Sequence, residues 1–282
     1  MELANLWFGT QSDGLLGQLE QARMHGFRGL GMFRPGPLAG SVSGLQAPNY
    51  VSALSLSALG EGKEELPLWQ EVPISVTLRS LKCHSCSQVV VPAGLDSRAA
   101  LRLRAGKLLA RVHAGERIQP EEEVVEEILV QSELESERQL ERFAGYLHEL
   151  RRSAAGLRIA ICPEASAASL LNPARMELLL HEIRDLKIGF WHDSGLLEKR
   201  HAGGLEHPGE WLDRFSNSLH GSTLHDFAGG ADHLPPGIGQ VDWSLVADYL
   251  PRTSTRILAV APSYPGEVLA EARTTLESRL PS

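Results

Sequence analysis

The sequence predicts an α/β protein built as a closed, parallel (β/α)8 TIM barrel. Three observations lead there. Eight short apolar runs alternate with stretches in which apolar residues recur at spacings of 3 and 4. The chain of 282 residues suits one such barrel, so residues 1–282 read as a single domain. Neither G-x-G-x-x-G after the first run nor G-x-x-x-x-G-K-[ST] occurs, so both nucleotide signatures of the competing open sheet are missing.

The elements follow in order. Leu6-Trp7-Phe8-Gly9 reads as the first strand, and Leu15, Leu16, Leu19 and Ala22 form one face of a helix that Gly26 ends. Phe27 to Phe33 is the second strand. A Gly/Pro/Ser-rich stretch from Arg34 to Pro48 leads to the third, Tyr50 to Leu56. Ile74, Leu78 and Leu81 mark a helix, and Gln88 to Val91 is the fourth strand, stopped by Pro92-Ala93-Gly94. Leu157 to Ile161 is the fifth. Asn172-Pro173 is an N-cap followed by proline at the first helical position, ahead of Met176, Leu179, Leu180 and Ile183. Lys187 to Trp191 is the sixth strand; Trp211, Leu212, Phe215 and Leu219 suit a helix; Ser222 to His225 is the seventh strand. Asp242 caps a helix bearing Leu245, Val246 and Tyr249. Arg256 to Val260 is the eighth strand, and Pro265 opens a last helix with Leu269, Ala272, Leu276 and Leu280.

The gap between the fourth and fifth strands is too long for one βα unit. Arg98, Arg102, Arg104, Lys107 and Arg111 come first, and a Glu-rich run from Glu116 to Glu137 follows. Leu140, Phe143, Leu147 and Leu150 then read as the barrel helix, which makes residues 95–135 a charged helical insertion. Helices with solvated charged faces are the plainer reading; a lid or protein-partner surface near the barrel mouth is the sharper one.

Composition narrows the function. With 27 basic against 35 acidic residues the net charge is −8, which argues against a nucleic-acid partner. No run approaches the roughly 18 apolar residues of a membrane span. No basic region followed by an apolar stretch opens the chain, and three cysteines (Cys83, Cys86, Cys162) suit a reducing cytoplasm. Cys83-His84-Ser85-Cys86 is a lone C-x-x-C without two further ligands nearby and reads as packing.

Polar residues at the C-terminal ends of barrel strands are the candidates for chemistry. They are Glu164 after the fifth strand, Asp193 after the sixth, and His225, Asp226 and His233 after the seventh. Glu164 and Asp193 could hold a divalent metal (Mn, Mg or Zn), with Glu164, His225 and Asp226 moving protons. Arg34 could bind an anionic group, and Trp7, Trp191 and His233 could contact a sugar ring. Spacing alone slightly favours a plainer role for these groups, as helix caps, loop hydrogen bonds and core.

The stretch Leu224-His225-Asp226 through Asp232-His233-Leu234-Pro235-Pro236-Gly237-x-Gly239-x-Val241-Asp242-Trp243 resembles the H-x-H-D…D-H-L-P-P-G-x-G-x-[IV]-D-[WF] pattern of the xylose-isomerase-like TIM-barrel family. Gly26-Phe27-Arg28-Gly29-Leu30 resembles that family's G-F-x-G-[IL]-E. The resemblance implies a sugar (phosphate) isomerase or epimerase acting on a small polyol, keto sugar or related hydroxy-carbonyl compound. It also implies a metal held by one residue from each of strands five to eight. Glu164 and Asp193 match two of these, but the other two positions hold Thr223 and Ala259. Further family positions hold Gly31, Pro92 and Leu196 in place of Glu, His and His. The expected metal is therefore weakly bound or lost. Three readings follow: an isomerase with an altered metal site, a non-catalytic barrel that binds a ligand or a partner through 95–135, and an enzyme using metal-free acid/base chemistry. The oligomeric state is not legible.

Overall fold

The computed structural model describes residues 1–8, 14–32, 51–55, 69, 74–75, 86–96, 98–115, 121–154 and 156–280. Arg34, the rest of the helix expected around Leu78 and Leu81, and Cys83 lie outside these residues.

Eight parallel strands close into a barrel in the order β1 (Glu2–Ala4), β10 (Thr255–Leu258), β7 (Leu219–Leu224), β6 (Gly189–Asp193), β5 (Arg158–Cys162), β4 (Gln88–Pro92), β3 (Val51–Ser55) and β2 (Leu30–Met32). Two further strands, β8 (Asp226–Ala228) and β9 (Ala231–Leu234), form an antiparallel hairpin in the connection after β7. Helices α1 (Leu15–Met24), α4 (Pro173–Glu182), α5 (Ser194–Ala202), α6 (Pro208–Phe215), α7 (Trp243–Tyr249) and α8 (Gly266–Arg279) alternate with the strands. No helix among the described residues is long and apolar enough to cross a membrane.

Strand side chains alternate between two apolar compartments, as the two-residue period of a β-strand requires. Val89 and Val91, Ile159 and Ile161, Phe190 and Leu258 join the outer core beneath the helices, with Met176, Trp211, Phe215, Leu269 and Leu276. Ala4, Val90, Ala160, Cys162, Trp191, Ile257 and Ala259 fill the barrel interior. Large and small residues complement each other there. A Cβ on Gly221 would meet the Trp191 ring, and one on Gly31 would lie 2.6 Å from Ile257 Cδ1.

The caps read from sequence are present. Asn172 Oδ1 accepts from Arg175 N at 2.9 Å with Pro173 at the first turn. Asp242 Oδ1 accepts from Ser244 N and Leu245 N at 3.0 and 3.1 Å. Most strand bounds shift by one to three residues from expectation, and two differences have a clear physical reason. The first strand is Glu2–Ala4, and Asn5–Phe8 is a 3-10 turn. Leu3 pairs in register with both Leu30 and Leu258, and Trp7 Nε1 donates to Tyr264 O at 2.8 Å, which favours turn over strand. Leu219 begins β7 rather than ending a helix, because α6 closes at Phe215 and a 3-10 turn follows.

Two helices, α2 (Ala99–His113) and α3 (Glu121–Ser153), lie between β4 and β5. The expected boundary near 135 falls inside α3, where no glycine or proline interrupts the chain from Glu121 to Ala144. The C-terminal half of α3 buries Phe143, Leu147 and Leu150 against the barrel. Helix α2 packs Leu101, Ala105 and Leu108 on Ala167 and Ala168, in the connection after β5. Its last residue reaches the β8–β9 hairpin: the His113 ring lies 5.0 Å from Phe227, and its Nε2 is 3.3 Å from Lys199 O.

Candidate functional site

A polar cluster assembles at the C-terminal end of the barrel, on β6, α5 and the connection after β7. Asp193 ends β6 and caps α5: its Oδ1 accepts from Leu196 N at 3.0 Å and is 2.8 Å from His225 Nε2. His225 follows β7 and is buried. Ser194 clasps its backbone, donating from Oγ to His225 O at 2.6 Å and accepting from His225 N at 3.0 Å. A Cβ on Gly195 would run into the His225 ring. Glycine at this position is therefore what lets helix and imidazole approach.

The hairpin supplies the other half. Gly229 and Gly230, with φ of 54° and 82°, form a two-residue turn of the kind that suits the twist of paired strands. The return strand carries Asp232 and His233. Asp232 Oδ1 lies 3.3 Å from His225 Nδ1 and accepts from His233 N at 2.9 Å, while Oδ2 is 3.2 Å from Lys199 Nζ. The His233 ring sits 4.3 Å from the His225 ring. His233 adopts φ of 54°, a left-handed conformation that costs a non-glycine residue about 1–3 kcal/mol. Its backbone is held there by Ala261 N, which donates to His233 O at 2.9 Å.

The charges in this cluster are interdependent. Burial pulls His225 down, but the charge and hydrogen bond of Asp193, with Asp232, outweigh it and hold the imidazole above its ordinary 6.5. Asp193 is pushed up by burial and pulled further down by His225, so it stays below the usual carboxyl range. Burial also opposes Asp232, which His225, His233 and Lys199 bring to about 2. His233 goes the other way, to about 4, through burial and the adjacent His225 charge. The cluster thus holds two carboxylates, one imidazole that favours a positive charge and one that stays neutral.

The remaining expected residues take different places. Asp226 is fully buried. Its Oδ1 accepts from Phe227 N and Val241 N at 3.1 and 3.0 Å, and its Oδ2 from Gly237 N and Trp243 Nε1 at 2.8 and 3.1 Å. Four donors occupy the carboxylate and tie the Pro-Pro-Gly loop to β8. A Cβ on Gly239 would collide with Asp226 Oδ1, so the second glycine of G-x-G is a packing requirement of this anchor. Trp191 is 1% exposed and packs in the barrel interior, where its Nε1 donates to Thr223 Oγ1 at 2.8 Å. Trp7 is half-buried beside Phe8 and His25.

Glu164 follows β5 and is half-buried. Its carbonyl accepts from Arg200 Nη1 at 2.6 Å. Glu164 and Asp193 both act on Cys162, whose thiol is raised by burial first and then by these two charges. Arg200 was not legible as important. It is buried, pairs with both Glu206 oxygens, donates to Ser166 O at 3.1 Å and lies over the Trp211 ring. Asp232 and Lys199 were also missed as site residues. The Gly229-Gly230 pair shortly after His225-Asp226 was the available signal for the hairpin that places Asp232.

The four-ligand metal that the sequence resemblance implies does not fit these residues. Thr223 Oγ1 already receives the Trp191 indole, Ala259 offers no donor, and Trp191 and Ile257 fill the interior beside them. Among the described residues one group brings three ligand atoms of different side chains within 4.8 Å of one another: His225, Asp232 and His233.

The fold is similar to that of solved barrels described as epimerases, a dehydratase and a xylose isomerase domain-containing protein. The 3-keto-D-glucoside 4-epimerase YcjR of E. coli matches at a TM-score of 0.61 with 15% identity, over 98% of each chain. The probable 3-DHS dehydratase AsbF of Bacillus anthracis matches at 0.62 with 10% identity, over 99% of this chain and 100% of its own. A xylose isomerase domain-containing protein of Salmonella typhimurium LT2 matches at 0.59 with 11% identity, over 98% and 95%. At these identities the likeness is one of fold. No family model matches the sequence, and no curated protein sequence matches it.

Proposed function

We propose that the chain is a sugar isomerase- or epimerase-like enzyme. It acts on a small polyol, keto sugar or related hydroxy-carbonyl compound at the open end of the barrel. The observation that carries this reading is the buried His225 imidazole set between Asp193 at 2.8 Å and Asp232 at 3.3 Å, where this fold gathers its chemistry. Two structural relatives are named for such reactions, a 3-keto-D-glucoside 4-epimerase and a D-tagatose 3-epimerase-like protein.

Isomerisation beside a carbonyl needs a base to take a proton from carbon and an acid to return it. Asp232 is the more exposed carboxylate of the cluster, with one third of its side chain accessible. It is the base that meets the ligand, with Glu164 the second proton-handling carboxyl. Asp193 and His225 act as positioning residues: they hold Asp232 ionised and supply positive charge toward the developing enediolate. Asp226 anchors the loop and takes no proton. No step runs through the family's four-ligand metal. Within the single barrel of residues 1–282, we read α2 and the first part of α3 as an added lid; the contact of His113 with the hairpin supports this.

The test is proton exchange in D2O, followed by NMR, on a panel of ketoses, 3-keto sugars and polyols. Wild-type protein should wash deuterium into the carbon beside the carbonyl of at least one compound class. Asp232→Asn should abolish this, and His225→Gln should reduce kcat more than it raises KM. Absence of exchange across the panel would overturn the reading in favour of a non-catalytic barrel, whether or not a compound binds.

A further inference from the structure

We propose that His225, Asp232 and His233 form a binding site for one divalent transition-metal ion of the zinc or cobalt class. The site joins His225, just after β7, to Asp232 and His233 on the return strand of the hairpin. The proposal rests on the reading given above and concerns the metal-loaded form of the same mouth cluster: there the ion takes the place of the His225 positive charge, Asp232 is a ligand, and Glu164 is left as the proton-handling carboxyl.

The donor set comes first. Two imidazoles and a carboxylate, with an open fourth position, suit zinc and cobalt better than magnesium or calcium. Their ligand atoms lie within 4.8 Å of one another. At metal–ligand distances of about 2.0–2.1 Å, neighbouring donors of a tetrahedral site stand about 3.3–3.4 Å apart. His225 Nδ1 and Asp232 Oδ1 are already 3.3 Å apart.

The second argument is the tautomer. His225 Nε2 is 2.8 Å from Asp193 Oδ1, and a proton belongs between them. In the neutral ring this leaves Nδ1 a bare lone pair. That lone pair faces Asp232 Oδ1 and Asp226 O, each at 3.3 Å. Three electron-rich atoms turned toward one another need a cation among them, either a proton on Nδ1 or a metal ion. A carboxylate behind a ligating histidine is also the usual arrangement that orients such a ligand.

His233 gives the independent observation. Its Nδ1 is buried and has no hydrogen-bond partner among the described residues. Its ring lies beside that of His225, and its backbone is held in the left-handed region. Lys199 bonds Asp232 Oδ2 at 3.2 Å and remains there as a neighbour of the ligating carboxylate. Proton and metal compete for His225, so metal binding should release protons and weaken in acid.

The experiment titrates Zn2+ into chelator-treated full-length protein by calorimetry and reads Co2+ by its visible absorption, without any substrate. Binding of one ion with a Kd at or below about 10 μM is expected. His233→Gln and Asp232→Asn should each weaken it at least about 100-fold, Asp193→Asn about 10–100-fold, and Glu164→Gln should leave it unchanged. Circular dichroism and thermal unfolding confirm that each variant is folded. Two results would overturn the proposal: no binding at millimolar metal, or binding that survives His233→Gln and Asp232→Asn while Glu164→Gln removes it. Exchange activity in a protein that binds no metal would leave the proposed function standing while this inference fails. Metal binding with no exchange on any compound would do the reverse.

Discussion

Replacing Asp226 by asparagine separates an anchoring carboxylate from a catalytic one. The wild-type carboxylate is fully buried and accepts four hydrogen bonds, two on each oxygen, from Phe227 N, Val241 N, Gly237 N and Trp243 Nε1. Asparagine keeps one acceptor oxygen and turns an NH2 group toward the other two donors. Two charge-assisted bonds are then lost and their donors left facing a donor. At about 1.5–3 kcal/mol for each bond to a charged group, the loss is about 3–6 kcal/mol. The lower end applies if the loop opens and lets water reach Gly237 N or Val241 N. Urea unfolding followed by circular dichroism measures it as a shift in midpoint at unchanged slope. The loss should be the same with and without metal. A loss below about 1 kcal/mol, together with abolished proton exchange, would refute the argument and make Asp226 a reacting group.

Three further outcomes follow from the same geometry. Gly195→Ala places a methyl against the His225 ring; it should cost about 1–3 kcal/mol and return the His225 titration toward 6.5, read by NMR. Arg200→Met removes the partner of Glu206 and the donor to two loop carbonyls; about 3–5 kcal/mol of stability should go, with faster proteolysis after β5. For metal-free protein, the stability difference between wild type and His225→Gln should depend on pH. A raised imidazole contributes fully below 6.5, and this is lost as pH rises through its folded pKa. A depressed carboxyl contributes fully above 3.8, and this is lost as pH falls through its folded pKa. The difference should therefore be largest between about pH 4 and 6.5 and shrink on both sides, as denaturant midpoints across pH will show. His192 and His233, each held neutral down to about 4 by burial and in part by the His225 charge, lower stability in acid; the part due to His225 is absent from the variant and trims the difference below about pH 6.5.

The sequence by itself determined the barrel. Alternating apolar runs and helical stripes are local patterns, and Asn172 and Asp242 cap helices through atoms two or three residues away. Such signals survive without knowledge of distant contacts. The positions of Glu164, Asp193 and His225 near strand ends were legible for the same reason. Only tertiary structure decided what those groups do. Asp226 and His225 are adjacent in sequence, yet one faces four donors of its own loop and the other faces carboxylates on β6 and the hairpin. Whether a carboxylate is spent on backbone amides or left to hold a charge depends on atoms brought in from elsewhere in the chain. Likewise Thr223 and Ala259 could be read as lost ligands. That the space beside them is filled by Trp191 and Ile257 follows from barrel closure, which sets β6 beside β7 and β7 beside β10.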